Sequence, residues 1–429
     1  MMKRILIAGV TTVLAIGAVA ATAGAAPSRT TPSTASIGPS GTPAGSAFAG
    51  LRVVDACPEP APHHASCFVK RLVDSSEAPV VPAGLASSVP GAKARPAIPG
   101  LTPANLRSAY QLPERGRIAG TTVAIVDAFN DAFAESDLAV YRSQFRMRPC
   151  TTANGCFRKV NAAGLQSHYP PFNAGWSSEI ALDLDMVSAV CPDCHILLVE
   201  ANNDSLDDLG TAVNEAVALG AKYVSNSYGL TETADAVASD ERYFHHPGVA
   251  ITVSSGDYGQ IYGVQYPASS QYVTAVGGTS LAKDSSARGW SEAAWGGQNS
   301  LNGAGSGCSM FIGKPAWQTD SGCTHRTVAD VSAVADPYTG VAVYSGIDGG
   351  WIITGGTSTG APIIAATYAL AGDASQYPVP LARIYAHASD LNDVTTGLTG
   401  TCTPSYLCVA GLGYDGPTGL GTPRGLAAF

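Results

Sequence analysis

A repeated serine motif and one acidic helix hold the residues of this sequence whose types and spacing could cut an acyl bond. The tetrad Gly-Gly-Thr-Ser occurs twice, ending at Ser280 in VTAVGGTSLAKD and at Ser358 in WIITGGTSTGAPIIAATYALAG. After Ser280 the chain is polar and without helical period, which predicts a turn residue on an ordinary connection. After Ser358 come small residues, a proline where the first turn of a helix tolerates one, and then an apolar helical run. That context puts Ser358 at a helix N-terminus, where its own N–H and the helix dipole can stabilise an oxyanion. The neighbouring Gly355, Gly356 and Gly360 would let a substrate backbone approach.

A serine nucleophile needs a base, and histidine is the usual one. His63, His64, His168, His245, His246, His325 and His387 fall in polar loops or helix ends, and His195 begins a strand. None has the Gly-rich helix start that follows a subtilisin-type histidine. The helical stretch GWSSEIALDLDM offers a different base: Glu179 and Asp183 are four apart, so they share a face and their carboxyls can share a proton. A coupled acid pair splits its titrations and leaves one member ionised in mildly acidic solution, where imidazole is already protonated. Taken alone, such a pair also fits an exposed helix face. Asp185 is six from Glu179 and points elsewhere.

The elements that must position these residues begin after Leu101. TTVAIVDAF, HILLVEA, YVSNSYG and VAITVSSGD read as strands. AESDLAVYRSQF, SSEIALDLDMVSAV and LDDLGTAVNEAVALG read as helices, the second with a Ser cap and Glu179 in its first turn, the third closed by Gly220. Repeated strand, helix, strand units predict a mostly parallel sheet with helices on both faces, an α/β fold. Sites in such sheets lie at the carboxyl ends of strands, which selects Asp127, Ser227, Asp257 and Ser358. Each of these residues would also suit an ordinary turn.

The whole chain sets the limits. Its 429 residues are 45% hydrophobic and 13% charged, a globular composition, and 24 Lys and Arg against 33 Asp and Glu give a net charge of −9. No basic stripe is present, which disfavours nucleic acid as a partner. Lys3 and Arg4, an apolar run from Ile5 to about Ala20, and Ala23-Gly24-Ala25 read as a signal peptide over residues 1–25, cleaved near Ala25. An uncleaved anchor is the rival reading, and no later segment reads as a membrane span. Residues 26–50 form a flexible leader rich in Ser, Thr, Pro and Gly, and residues 51–100 read as a short pro-region or an N-terminal arm. Ten cysteines fall into five neighbouring pairs, namely Cys57/Cys67, Cys150/Cys156, Cys191/Cys194, Cys308/Cys323 and Cys402/Cys408, and in an exported chain these read as short disulfides. Metal or redox chemistry at CPDC is the rival for one of them.

From about Leu101 to its end the chain resembles the sedolisin family, the serine-carboxyl peptidases with a subtilisin-like three-layer fold. The matches occur in family order: the Glu-x-x-x-Asp helix EIALD, the turn SSGDYG, the nucleophile motif GTSTGAP and a C-terminal calcium loop. The resemblance implies an exported endopeptidase active in acid, with polypeptide substrates and residues 101–429 as a monomeric peptidase domain. It casts Ser358 as nucleophile, Glu179 as its base, Asp183 as the residue that holds Glu179, and Asp257 as a protonated donor to the oxyanion. The SNSYG strand end resembles the edge that pairs with a substrate peptide. The resemblance further implies one structural Ca²⁺ held by the carboxylates of Asp393 and Asp415 and the carbonyls of Val394, Gly411 and Gly413, a donor set of hard oxygens suited to that ion. The same Gly-rich turns would also fit a plain loop. The family carries a large folded pro-domain that is removed in a zymogen step, whereas here only about 75 residues separate the signal from the catalytic region. Two alternatives remain: a subtilisin-like hydrolase using Asp127 and an unidentified histidine, and an inactive peptidase fold used for binding.

Overall fold

The computed structural model describes residues 50–78, 80, 98–117, 120–298 and 300–429. The signal peptide, nearly all of the leader and the stretch 81–97 lie outside the described residues. Three short strands come first: β1 (Arg52–Asp55), β2 (Ser66–Cys67) and β3 (Lys70–Val73). Then come α1 (Pro103–Ala109), β4 (Thr122–Ala128), α2 (Ala134–Gln144), β5 (Phe157–Asn161), α3 (Ala174–Val190), β6 (His195–Ala201) and α4 (Leu206–Ala218). They are succeeded by β7 (Tyr223–Asn226), β8 (Tyr228–Thr231), α5 (Ala236–Ser239), β9 (Ala250–Ser254), β10 (Gln265–Tyr266), β11 (Thr274–Lys283) and β12 (Trp290–Ala294). The strands β13 (Gly307–Gly313), β14 (His325–Val328), β15 (Val331–Val334), β16 (Val341–Ser345) and β17 (Gly350–Gly355) lead to α6 (Gly360–Ala371).

The central sheet has eight strands in the order β12-β11-β9-β7-β4-β6-β5, with β15 also paired to β11. All of its pairings are parallel except that of β12 with β11. Its middle strands are continuous apolar runs, VAIV in β4 and ILLV in β6, because both faces are covered. On one face α3 and α6 pack together and against β4, β7 and β9; on the other α4 packs against β4 and β6. This is a three-layer, subtilisin-like α/β fold.

The apolar helix α6 is wholly buried, and Thr252 of β9 fixes its first turn by donating from Oγ1 to the Ala361 carbonyl at 2.9 Å. The helix α3 starts earlier than its sequence suggests. Asn173, not a serine, is the N-cap, accepting from the Trp176 N–H, so Glu179 sits in the second turn. Packing explains the early start: a side chain at Gly175 would meet the Ala56 carbonyl oxygen at 2.7 Å and Cys57 Cα at 3.0 Å, so glycine's poor helix propensity is accepted for a close approach.

The described start of the segment read as a pro-region or arm, residues 52–73, is woven into the α/β fold. A second sheet has the order β1-β3-β17-β16, and β2 pairs antiparallel with β8. All five expected disulfides are present, including Cys191–Cys194, which leaves no free thiol or metal ligand at CPDC. The largest loop, closed by Cys308–Cys323 with a separation of 15, would remove about 3 kcal/mol of unfolded-chain entropy.

Candidate active site

The strand β17 delivers the chain to Gly356, whose φ of +94° favours glycine, and Thr357–Thr359 form a tight 3₁₀ turn that opens α6. Ser358 sits in that turn, fully buried. Its Oγ donates to the Ser227 carbonyl at 3.3 Å. Ser227 lies at the break between β7 and β8, and its own Oγ is 2.8 Å from both carboxylate oxygens of Asp183 and 3.3 Å from the Ser358 carbonyl. One small residue thus ties the serine turn to the acidic helix.

Glu179 and Asp183 project from α3 into the same buried space, and Asp127, at the end of β4, joins them. Burial pushes all three carboxyls well above the ordinary range, and nearby like charge adds to it, from Asp127 on Glu179 and Asp183 and from Glu200, at the end of β6, on Asp127. Their partners differ. Glu179 Oε2 accepts from the Val69 N–H at 2.7 Å, and the Ser358 hydroxyl also favours its charged form. Asp183 has one donor, Ser227, while both oxygens of Asp127 lack a hydrogen-bond partner. A single negative charge in this trio is therefore held best on Glu179, with Asp127 the acid that keeps its proton.

Asp257 follows β9 and faces the serine turn. Its Oδ1 accepts from the Thr357 N–H at 2.7 Å and the Thr357 hydroxyl at 2.9 Å, while its buried Oδ2 has no partner. Burial pushes this carboxyl up to about 7 against the pull of the Lys70 ammonium. In acid this carboxyl is therefore protonated, and Oδ2 is its oxygen without a partner.

Other expected residues fall elsewhere. Ser280 is not on a turn: it lies inside β11, paired opposite Ala293 of β12, and its Oγ donates to Asp336 Oδ2 at 2.6 Å. Asp185 points away from the trio and accepts from the Tyr344 N–H at 2.9 Å. His64, His245, His246 and His387 bond Asp204, Glu241, Asn214 and Asp390, none of which belongs to the cluster around Ser358.

The C-terminal loop brings Asp393 and Asp415 together. Asp393 Oδ2 accepts from the Gly413 N–H at 2.9 Å and Asp415 Oδ2 from the Gly411 N–H at 3.0 Å. Burial and then the nearby Asp393 help raise Asp415 to about 7, although Thr418 and Gly411 donate to it. A cation would relieve that like-charge pair, and the hard oxygens of Asp393, Asp415, Val394, Gly411 and Gly413 suit Ca²⁺ chemically. The amides of Gly411 and Gly413, rather than their carbonyls, are the groups bonded to the carboxylates here. Among the described residues no cluster of three or more His, Cys, Asp or Glu side chains could hold a metal.

No family model matches the chain. Individual relatives do. Kumamolisin of Bacillus sp. (strain MN-32) is 29% identical over 353 residues, covering 76% of this chain, and sedolisin of Pseudomonas sp. (strain 101) is 30% identical over 364 residues, covering 75%. A solved structure of Pseudomonas sedolisin, described as a serine-carboxyl proteinase complexed with two molecules of pseudo-iodotyrostatin, superposes over 76% of this chain and 96% of its own with a TM-score of 0.65 and 26% identity. The chain belongs to the sedolisin family. It spans 62% of the length of kumamolisin and 60% of that of sedolisin.

Within the sedolisin frame, three contributors escape sequence reasoning. The sequence marks Asp127 only as a strand-end residue or a subtilisin-type acid, and its place beside Glu179 depends on α3 crossing over β4. It marks Ser227 as a strand end, but the bridge this residue makes needs β8 to break from β7. Lys70, buried at 1% exposure over the Tyr258 ring and paired with Asp55, lies in the supposed arm and carries no sequence signal.

Proposed function

We propose that the protein is an exported serine-carboxyl endopeptidase that hydrolyses polypeptides in acid. The observation that carries this reading is the Ser227 bridge, which places a buried serine turn and a buried carboxyl pair in one network without a histidine. Ser358 Oγ attacks the scissile carbonyl carbon and passes its proton to Glu179, which delivers it to the leaving amine. Asp183 holds Glu179 and shares its proton load. Asp257, protonated, donates from Oδ2 to the developing oxyanion beside the Ser358 N–H. Neutral Asp257 and a singly charged trio coexist only in acid, so turnover falls as pH rises through about 7. A subtilisin-type base is disfavoured because the trio already supplies one.

Export follows from the signal-like residues 1–25 and fits the five disulfides; among the described residues no helix is long and apolar enough to cross a membrane. The protein acts as a monomer, with Asp393 and Asp415 and the carbonyls of Val394, Gly411 and Gly413 holding one structural Ca²⁺. That ion would supply charge neutralisation for the loop and take no part in the reaction. Purified wild type and Ser358→Ala, assayed on unfolded protein at pH 4 and pH 8, test the reading. Hydrolysis at pH 4 that vanishes in the variant is expected; equal rates in the two proteins would refute it.

A further inference from the structure

The segment from Arg52 to Val73 is a hairpin whose end pairs on both sides of the serine turn. Ser66 and Cys67 pair antiparallel with Gly229 and Tyr228, the SNSYG edge, while Lys70 and Arg71 pair antiparallel with Gly355 and Thr354, immediately before the serine turn. The two residues between these pairings, Phe68 and Val69, cross the catalytic cluster. The Phe68 carbonyl oxygen fills the place a Cβ would take on Gly356, and Asp257 Oδ2 lies 2.7 Å from the same point, so that carbonyl sits where Asp257 can reach it. On the other side of the peptide bond, the Val69 N–H donates to Glu179 Oε2 at 2.7 Å. The Phe68 ring is buried against Gly229, where an added Cβ would meet Cζ at 2.8 Å, and stands edge-on to Tyr258. Carbonyl toward the oxyanion acid, amide nitrogen at the base and side chain in a pocket define a peptide bond offered for attack.

We propose that residues 52–73 are a tethered, substrate-like inhibitor of this site, with Phe68–Val69 as the bond presented to Ser358. The inference rests on the reading of Ser358 and Glu179 given above and adds to it how the site is restrained. Two features make the hairpin a poor substrate. The Cys57–Cys67 disulfide closes the loop one residue before Phe68 and packs on Gly175 at the start of α3, and β1 pairs with β3, so both sides of the bond are held in place. Lys70, gripped by Asp55, also sets a positive charge near Asp257, which favours the ionised acid that cannot donate to an oxyanion. Slow self-cleavage opens the Phe68 C–N bond: Ser358 Oγ takes the acyl group, its proton goes through Glu179 to the Val69 nitrogen, and water then frees the Phe68 carboxylate and restores the serine. The severed piece is then held by non-covalent contacts alone, the strand pairings and ion pairs such as Asp55 with Lys70, and can leave.

The full-length protein tests this with a soluble peptide containing Phe, at pH 4. Wild type should show a lag, with a new N-terminus at Val69 forming during it. Phe68→Asp and the double variant Cys57→Ser/Cys67→Ser, each checked for folding by its melt, should start at least about tenfold faster, and Ser358→Ala should form neither product. Equal initial rates in wild type and both hairpin variants, all lost in Ser358→Ala, would overturn the inhibitor and leave the nucleophile standing. A lag that ends with the chain intact at Val69 would overturn the self-cleavage. Hydrolysis by none of the proteins would overturn the nucleophile reading, and the inhibitor with it.

Discussion

The two Gly-Gly-Thr-Ser copies share their letters and the same neighbour, yet fold oppositely. In the first, a side chain on Gly278 would strike Ala335 Cβ at 2.6 Å; in the second, one on Gly355 would strike the Ala335 carbonyl oxygen. The glycines in both copies serve close packing. The two part ways in the path of the chain at and beyond the serine. Thr279 is held extended between β15 and β12, Ser280 is paired with β12, and the serine is spent on a bond to buried Asp336. After Gly356 the chain reverses, no strand continues it, and Ser358 faces Ser227 and the acids of α3. A short motif acquires chemistry only when the strand it ends is released into a helix start.

The largest effect expected is on the second copy: Ser358→Ala should lower kcat/KM on the peptide by on the order of 10⁴-fold or more. Ser280→Ala should leave kcat/KM unchanged and instead lower stability by about 1–3 kcal/mol in urea melts, because the buried Oδ2 of Asp336 loses its donor while Oδ1 keeps the Tyr338 N–H. Next comes Glu179→Gln, which keeps the shape and removes the base, and should cost about 10²–10⁴-fold in kcat with an unchanged far-UV spectrum.

Asp257→Asn separates donor from proton. An amide donates at every pH, so the variant should lose the fall in kcat near pH 7 that wild type shows, even if its peak rate is lower. A retained fall would assign that titration to the trio instead. Asp257 and Glu200 both titrate near 7 when folded, above their unfolded values near 4. The folded protein then binds more protons than the unfolded one, so their contribution is complete below about pH 4 and lost as pH rises through about 7. The melting temperature should be several degrees higher at pH 5 than at pH 8. Chelation should lower it further if Asp393 and Asp415 hold Ca²⁺, and a smaller effect still is expected of Asp185→Asn, whose turnover should match wild type.

Much of this is legible in the sequence because periodic runs report burial on both faces. The strands ending at Asp127 and before Asp257, the acidic helix and the serine turn all emerge from apolar pattern and small residues. Ser280 reads wrongly as a turn because a polar stretch looks like a loop, although pairing with β12 holds it extended. The start of α3 is misplaced because Gly175 is a poor helix former and its reason, Ala56 and Cys57 against the helix, is a distant contact. The hairpin is legible only as a cysteine pair among prolines; strands of two to four residues carry no period, and their partners lie at positions 228–229 and 354–355.

The most direct test of the central claim is a paired assay of Ser280→Ala and Ser358→Ala, each made in wild type and in Phe68→Asp, with peptide hydrolysis monitored at pH 4. Loss confined to Ser358→Ala in both backgrounds is the predicted result. Equal losses in the two serine variants, or hydrolysis that survives Ser358→Ala, would contradict it.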